Sequence, residues 1–209
     1  MIKNIRNVFC VGRNYVMHAA ELGNPIPDEP LIFSKPTHAI TYMTGETVQL
    51  PGTLGEVHYE GELVLHIGKE YKPGMQVDGI VDAFTLGIDF TLRDVQSDLK
   101  KKGQPWLKAK GFRNSGLVAP FQAFPGVEKI TEISFSLVQN GIVKQEGTAS
   151  EMLFNLQTII DYLGQYYGLA EGDIIYTGTP AGVGPVQDGD KLALNWGSDE
   201  LASSTITMN

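Results

Sequence analysis

Five side chains in this sequence have types and spacings that could do chemistry together. Glu60 and Glu62 stand two apart in the run from His58 to Gly68. From Tyr59 onward that run reads as a strand, because large apolar and β-branched residues lead to a Gly stop. Alternation along a strand sends Glu60 and Glu62 to one face, and Tyr59, Gly61, Leu63, Leu65 and Ile67 to the other, the expected core face. Two carboxylates within ~7 Å repel one another unless water or a cation intervenes, and no basic residue adjoins them in sequence. A hard divalent cation with oxygen ligands, Mg²⁺, Mn²⁺ or Ca²⁺ rather than zinc, would relieve that repulsion. A half-exposed strand whose polar face meets water would do so too, and the pattern taken alone favours that reading. Asp89 ends the apolar run Phe84-Thr85-Leu86-Gly87-Ile88-Asp89-Phe90, where an unpaired buried carboxylate would cost several kcal/mol. It is therefore exposed or partnered by a cation. His18 and Glu21 are i and i+3 on a short helical stretch, which gives them one face. They could form a workable acid/base pair, but taken by themselves they read as a surface His beside a Glu.

The elements that must position these groups are mostly strands. Residues 5–12 predict a first strand, Leu31-Ile32-Phe33 a short one delivering Ser34-Lys35-Pro36, and Thr47-Val48-Gln49-Leu50 another. Thr91 and Asp94 have capping-box spacing and predict a helix from Thr91 to about Lys102. The stretch Leu107–Phe112 reads as extended or looped. Asn140-Gly141 between Ile130–Gln139 and Ile142–Glu146 is a two-residue hairpin signal. Ser150 is expected to cap a helix over 151–167 whose stripe of Met152, Leu153, Leu156, Ile159, Ile160, Leu163 and Tyr167 faces a core. Asp173–Thr177 predicts a strand entering the Gly-rich loop 178–185, where glycines could let a ligand reach backbone N–H groups. Two strands close the chain, near 191–196 and 201–208. The expected fold class is mainly β with helices (α+β), in a single domain spanning 1–209.

Composition narrows the partners. Hydrophobic residues are 42% and charged residues 19% of the 209, a globular balance that gives no reason to expect disorder. The net charge is -8, and Lys100-Lys101-Lys102 is the only basic cluster, so neither nucleic acid nor an anionic membrane is an expected partner. Lys3 and Arg6 are followed by no continuous apolar stretch of the signal-peptide kind. The lone Cys10, among apolar neighbours, reads as a small buried hydrophobe. A cytoplasmic location is expected.

Four blocks occur together in the order of a known family. They are Val11-Gly12-Arg13-Asn14-Tyr15 with His18 and Glu21; Tyr59-Glu60-Gly61-Glu62-Leu63; Ile88-Asp89 with Arg93-Asp94-Val95-Gln96; and Glu171-Gly172-Asp173 leading to Thr177-Gly178-Thr179-Pro180-Ala181-Gly182-Val183-Gly184. On these the chain resembles the fumarylacetoacetate hydrolase family, in its short branch of acylpyruvate hydrolases and oxaloacetate decarboxylases. The resemblance implies a β-roll or mixed-sheet core, a homodimer, and one Mg²⁺ or Mn²⁺ held by Glu60, Glu62 and Asp89. It further implies a catalytic His18–Glu21 dyad on a lid of about 14–24, an active-site Lys110, and substrate contacts from Arg13, Gln96 and Thr179. Where the family usually has Lys-Ser-Phe, this chain has Lys108-Ala109-Lys110-Gly111-Phe112. Alignment on Trp106 and Phe112 selects Lys110, with Lys108 the alternative.

The activity so implied is metal-dependent C–C cleavage of a 2-oxo acid through a pyruvate enolate: hydrolysis of an acylpyruvate, decarboxylation of oxaloacetate, or both. The alternatives are isomerisation of 2-hydroxyhepta-2,4-diene-1,7-dioate or decarboxylation of 5-oxopent-3-ene-1,2,5-tricarboxylate, and a non-catalytic protein that binds a metal or metabolite.

Overall fold

The computed structural model describes residues 4–21, 23 and 25–209; Lys3, and Leu22 and Asn24 of the expected lid, lie outside the described residues. The first half of the chain supplies strands β1 (Val8–Gly12), β2 (Leu31–Lys35), β3 (Ile40–Tyr42), β4 (Thr47–Leu50), β5 (Val57–Tyr59), β6 (Gly61–Ile67), β7 (Val81–Asp89) and β8 (Thr91–Leu92). The second half supplies β9 (Gly116–Val118), β10 (Gln122–Ala123), β11 (Phe135–Gln139), β12 (Ile142–Gly147), β13 (Ile174–Tyr176), β14 (Gly184–Pro185), β15 (Lys191–Trp196) and β16 (Asp199–Met208). The helices are α1 (Val16–Glu21), α2 (Val77–Ile80), α3 (Arg93–Lys101), α4 (Leu107–Lys110), α5 (Val127–Glu132) and α6 (Leu156–Tyr166). This is the mainly β, helix-bearing class that the sequence predicts.

A mixed sheet in the order β2-β1-β13-β6-β7-β9-β3, with β10 added beside β7, forms the centre. A second sheet runs β12-β11-β15-β16-β4, and a small third one runs β14-β5-β8. Leu63, Leu65 and Ile67 of β6 join Leu86 and Ile88 of β7, Leu137 of β11, Leu194 of β15 and Ile159 and Leu163 of α6 in the main apolar core. Val64 points to the other face and packs with Val8, Cys10, Val118, Ile174 and Tyr176. Both faces of β6 are covered, so every one of its residues is buried. Such strands read as unbroken apolar runs, and the half-exposed alternative for the Glu60–Glu62 strand is ruled out. Burial also pushes the thiol of Cys10 well up, which keeps it an inert hydrophobe.

Several local expectations are corrected. The strand predicted from Tyr59 breaks at Glu60, which lies between β5 and β6 in two different sheets. Thr91 does not cap α3; it is buried in β8, and the helix begins after Leu92 with no side-chain cap. Asp94 instead accepts N–H bonds from Glu56 (3.0 Å) and Val95 (2.8 Å) within the first turn. Residues 107–110 form a helical turn rather than a loop, and Ile130 belongs to α5. The expected 151–167 helix is split. Thr148 and Glu151 make a capping box around a 3₁₀ turn, and α6 starts only after Asn155, whose side chain accepts from the Thr158 N–H. The break frees Phe154 to meet Asn14.

Asn14 ties this region together. Its Oδ1 accepts the Phe154 N–H at 2.8 Å, and its Nδ2 donates to Phe154 O at 3.1 Å and Thr177 O at 2.8 Å. The side chain is fully buried. Asn14→Ala strands these backbone groups, and we expect a loss of about 3 kcal/mol in urea unfolding at unchanged m. A loss below about 0.5 kcal/mol would mean that water or a backbone shift satisfies them.

Candidate active site

Register brings the three acidic side chains together. Gly61 pairs with Ile88 across β6 and β7, the Asp89 N–H donates to Glu60 O at 2.8 Å, and Asp89 sits opposite Gly116 of β9. Glu60, Glu62 and Asp89 are all buried, and one carboxylate oxygen of each can be chosen so that all three lie within 4.8 Å of one another. Three like charges in a low-dielectric interior are tolerated only with close partners.

Those partners are cations from three elements. Lys110 at the end of α4 places Nζ 2.7 Å from both Glu60 Oε2 and Asp89 Oδ2. Arg93 at the start of α3 pairs with Glu60 Oε1 at 2.5 Å and donates to Gln96 Oε1 at 2.8 Å. Lys35 at the end of β2 lies 2.6 Å from Asp89 Oδ1. Burial disfavours ionisation of Glu60, yet Lys110, Arg93 and His18 outweigh it and hold its pKa far below the usual carboxylate value. Burial likewise disfavours a charged Lys110, but Asp89 and Glu60 keep its pKa above the ordinary lysine value. Its ammonium also faces the Phe33 ring, 4.9 Å from the centroid.

Glu62 differs. Its Oε2 accepts the Gly178 N–H at 2.7 Å, and burial, with Asp89 and Glu60 nearby, pushes its pKa well up. A buried acid held by one backbone N–H, beside two further carboxylates, is what a divalent cation would complete. An octahedral ion with bonds of about 2.1 Å needs neighbouring ligand oxygens about 3 Å apart. The donor set is all oxygen and its atoms lie within 4.8 Å of one another, which fits a hard divalent metal.

His18 and Glu21 lie beside this cluster on α1, His18 Nδ1 being 3.3 Å from Glu21 Oε2. His18 is buried and lines the same cleft as Glu60, Glu62 and Lys110. Burial lowers its pKa against the opposing pull of Glu60 and Glu21, so the imidazole is neutral at pH 7. Glu21 also receives the Gly182 N–H, 3.1 Å from Oε1. The N–H groups of Gly178 and Gly182, both at positive φ, thus serve Glu62 and Glu21 rather than lying open to a ligand.

Arg13, Gln96 and Thr179 complete the walls with Phe33, Lys100 and Trp106. Arg13 takes a left-handed φ of 57° where the chain leaves β1. The Thr179 hydroxyl donates to Gly61 O at 2.8 Å and accepts from Gln145 Nε2 at 2.7 Å, so its hydrogen is committed. Eight of the nine residues singled out from the sequence for chemistry or substrate contact therefore form the acidic cluster or line its cleft, and the ninth, Glu21, joins it through His18. Of the two lysines, Lys108 is exposed and Lys110 reaches the cluster. Sequence reasoning missed Lys35, Arg93 as an ion-pair partner, and Gln145, whose Oε1 also accepts the Gly61 N–H at 2.8 Å. A Lys closing a short strand and a Gln in a hairpin arm look like ordinary solvated positions, and nothing local marks them. Arg93 stands at helix-start spacing after Asp89, a signal that could have been used.

Comparison with known proteins agrees with this geometry. Residues 7–203 match the family model for the fumarylacetoacetate (FAA) hydrolase C-terminal domain. The chain is 36% identical over 208 residues to an oxaloacetate tautomerase of Escherichia coli, covering 97% of this chain and 93% of that one. It is 40% identical over 192 residues to a mitochondrial oxaloacetate tautomerase of Bos taurus, covering 90% and 85%. A fumarylpyruvate hydrolase from Pseudomonas aeruginosa, solved in complex with Mn²⁺ and pyruvate, superposes with a TM-score of 0.90 at 31% identity, over 98% of this chain and 91% of that one. Among the described residues no helix is long and apolar enough to cross a membrane. A match across nearly the whole length, joined to a buried acidic cluster beside a His–Glu pair, identifies the chain as an enzyme of the fumarylacetoacetate hydrolase family.

Proposed function

We propose that this enzyme binds a 2-oxo acid and stabilises its enolate. The reactions it would serve are keto–enol interconversion and decarboxylation of oxaloacetate, and hydrolysis of acylpyruvates. The observation that carries this reading is the cluster of Glu60, Glu62 and Asp89, cation-compensated and open to a cleft that also contains neutral His18. The activities named for the relatives, on oxaloacetate and fumarylpyruvate, support the substrate class. Tautomerisation is favoured by two of those relatives and needs the fewest parts, since no C–C bond breaks.

Glu60, Glu62 and Asp89 would hold Mg²⁺ or Mn²⁺, which when bound supplies Lewis-acid stabilisation of negative charge on the substrate. The remaining work falls to the chain. Arg93 and Lys110 give the cleft a cationic wall for the substrate's carboxylate and for developing oxyanions. Gln96, its Oε1 fixed by Arg93, has its amide nitrogen left to donate. Glu21 accepts from Nδ1 of His18, which leaves Nε2 as the basic nitrogen. In tautomerisation that nitrogen would exchange a proton with the substrate; in hydrolysis it would take one from the attacking water. Decarboxylation needs no such base.

Turnover of oxaloacetate and acetylpyruvate, compared in Mg²⁺, Mn²⁺ and chelator, tests the reading: metal-dependent conversion of either is expected, and metal-independent turnover of both would contradict it. Glu60→Ala or Asp89→Ala should lower activity by about a thousandfold, and full activity in either variant would remove the proposed metal site. His18→Ala should cost hydrolysis about a hundredfold and decarboxylation much less; equal losses would reduce His18 to a positioning role. Because burial lowers the His18 pKa, its base form persists below pH 6.5, so the acid limb of the hydrolysis profile should fall below that value. Glu21→Gln removes an influence that raises this pKa and should move the limb lower still; an upward move would contradict the assignment.

A further inference from the structure

The reactions above give Lys35 no part, although it is, with Lys110, one of the two buried cations of the cluster. Its Nζ sits 2.6 Å from Asp89 Oδ1, donates to Ser115 Oγ at 3.2 Å and to Phe90 O at 3.4 Å, and contacts Lys110 O. Ser115 Oγ in turn donates to Lys110 O at 2.8 Å. Lys35 is buried behind Asp89 and, unlike Lys110 and Arg93, does not line the cleft. It therefore has no route to a substrate. A buried ammonium is costly to desolvate, and one placed against a metal ligand opposes the arriving cation. For a site selected only to bind metal tightly, that placement is adverse.

Charge counting gives it a purpose. Ionised Glu60, Glu62 and Asp89 carry three negative charges; Lys35, Lys110 and Arg93 carry three positive ones. With all three carboxylates ionised around a divalent ion, the loaded cluster is doubly positive. The pyruvate enolate that decarboxylation or acylpyruvate hydrolysis leaves carries two negative charges, on its carboxylate and its enolate oxygen, so the loaded site would match it. Without Lys35 the loaded site would be only singly positive. We propose that Lys35 is a positioning and charge-setting residue, which fixes Asp89 and the Lys110 backbone while trading metal affinity for affinity toward the dianionic enolate. This rests on the metal-site reading of the three carboxylates. It differs from a purely structural strut in sign, because loss of a strut weakens every ligand together.

The test is calorimetric titration of metal-free protein with Mn²⁺, then of the Mn²⁺-loaded protein with oxalate, a dianion shaped like the enolate. Wild type should take up one Mn²⁺ per chain; failure here would defeat the metal-site reading before Lys35 is at issue. Lys35→Gln should bind Mn²⁺ about tenfold more tightly and oxalate about tenfold more weakly, the effect of one charge on a divalent ion a few ångströms away under water-like screening. Lys35→Arg, which keeps the charge, should resemble wild type in both titrations. Weakening of both ligands by Lys35→Gln, or no change in either, would overturn the proposal. Should Lys35→Gln fail to fold, Lys35→Arg decides: wild-type affinities support a charge role, and a parallel loss of both overturns it.

Discussion

Three carboxylates buried against one another are the constraint around which this protein is arranged. Left to themselves in a low-dielectric interior, Glu60, Glu62 and Asp89 could not all stay ionised. The molecule answers with Lys35 from the end of β2, Arg93 from the start of α3 and Lys110 from the end of α4, which converge on one point. The compensation is uneven. Glu60 and Asp89 each touch two cations, whereas Glu62 has a backbone N–H, and its ionisation is correspondingly suppressed. That imbalance is what a bound divalent ion would offset.

Much of the surrounding architecture serves to hold this cluster still. Gln145 bridges the Gly61 N–H and the Thr179 hydroxyl, and so locks the start of β6 to the loop that follows β13. Asn14 ties the same loop to the segment before α6. Gly178 turns at φ 103° to aim its N–H at Glu62, and an added Cβ there would approach the Asn14 Cβ to 2.6 Å. Gly182 does the same for Glu21, with the carbonyl of Lys144 where a Cβ would be. The His–Glu pair is consequently anchored to the loop that holds Glu62, so the pair and the acidic cluster share a mechanical reference.

The strands were legible because periodicity and Gly stops are local properties, and so was the convergence of Glu60, Glu62 and Asp89 once motif order was considered. What was not legible came from long-range packing. The Glu60–Glu62 strand read as half-exposed because alternation cannot reveal that β6 is central and covered on both faces. The helix expected over 151–167 failed because Asn155, not Ser150, has a backbone N–H in reach, and because Phe154 is claimed by Asn14 from across the chain. Thr91 had the right spacing for a cap but is consumed by β8. Lys35 and Gln145 were invisible for the same reason: their partners lie 54 and 34 residues or more away, and only the sheet topology brings them together.

The central claim is that the carboxylate cluster binds one divalent ion and that the ion and cluster together receive a 2-oxo acid. Equilibrium dialysis of the chelator-treated protein against Mn²⁺ and labelled oxalate tests it most directly. The account predicts one Mn²⁺ per chain, oxalate retained only when Mn²⁺ is present, and both lost in Glu62→Gln. Oxalate retained equally by the metal-free protein would contradict it.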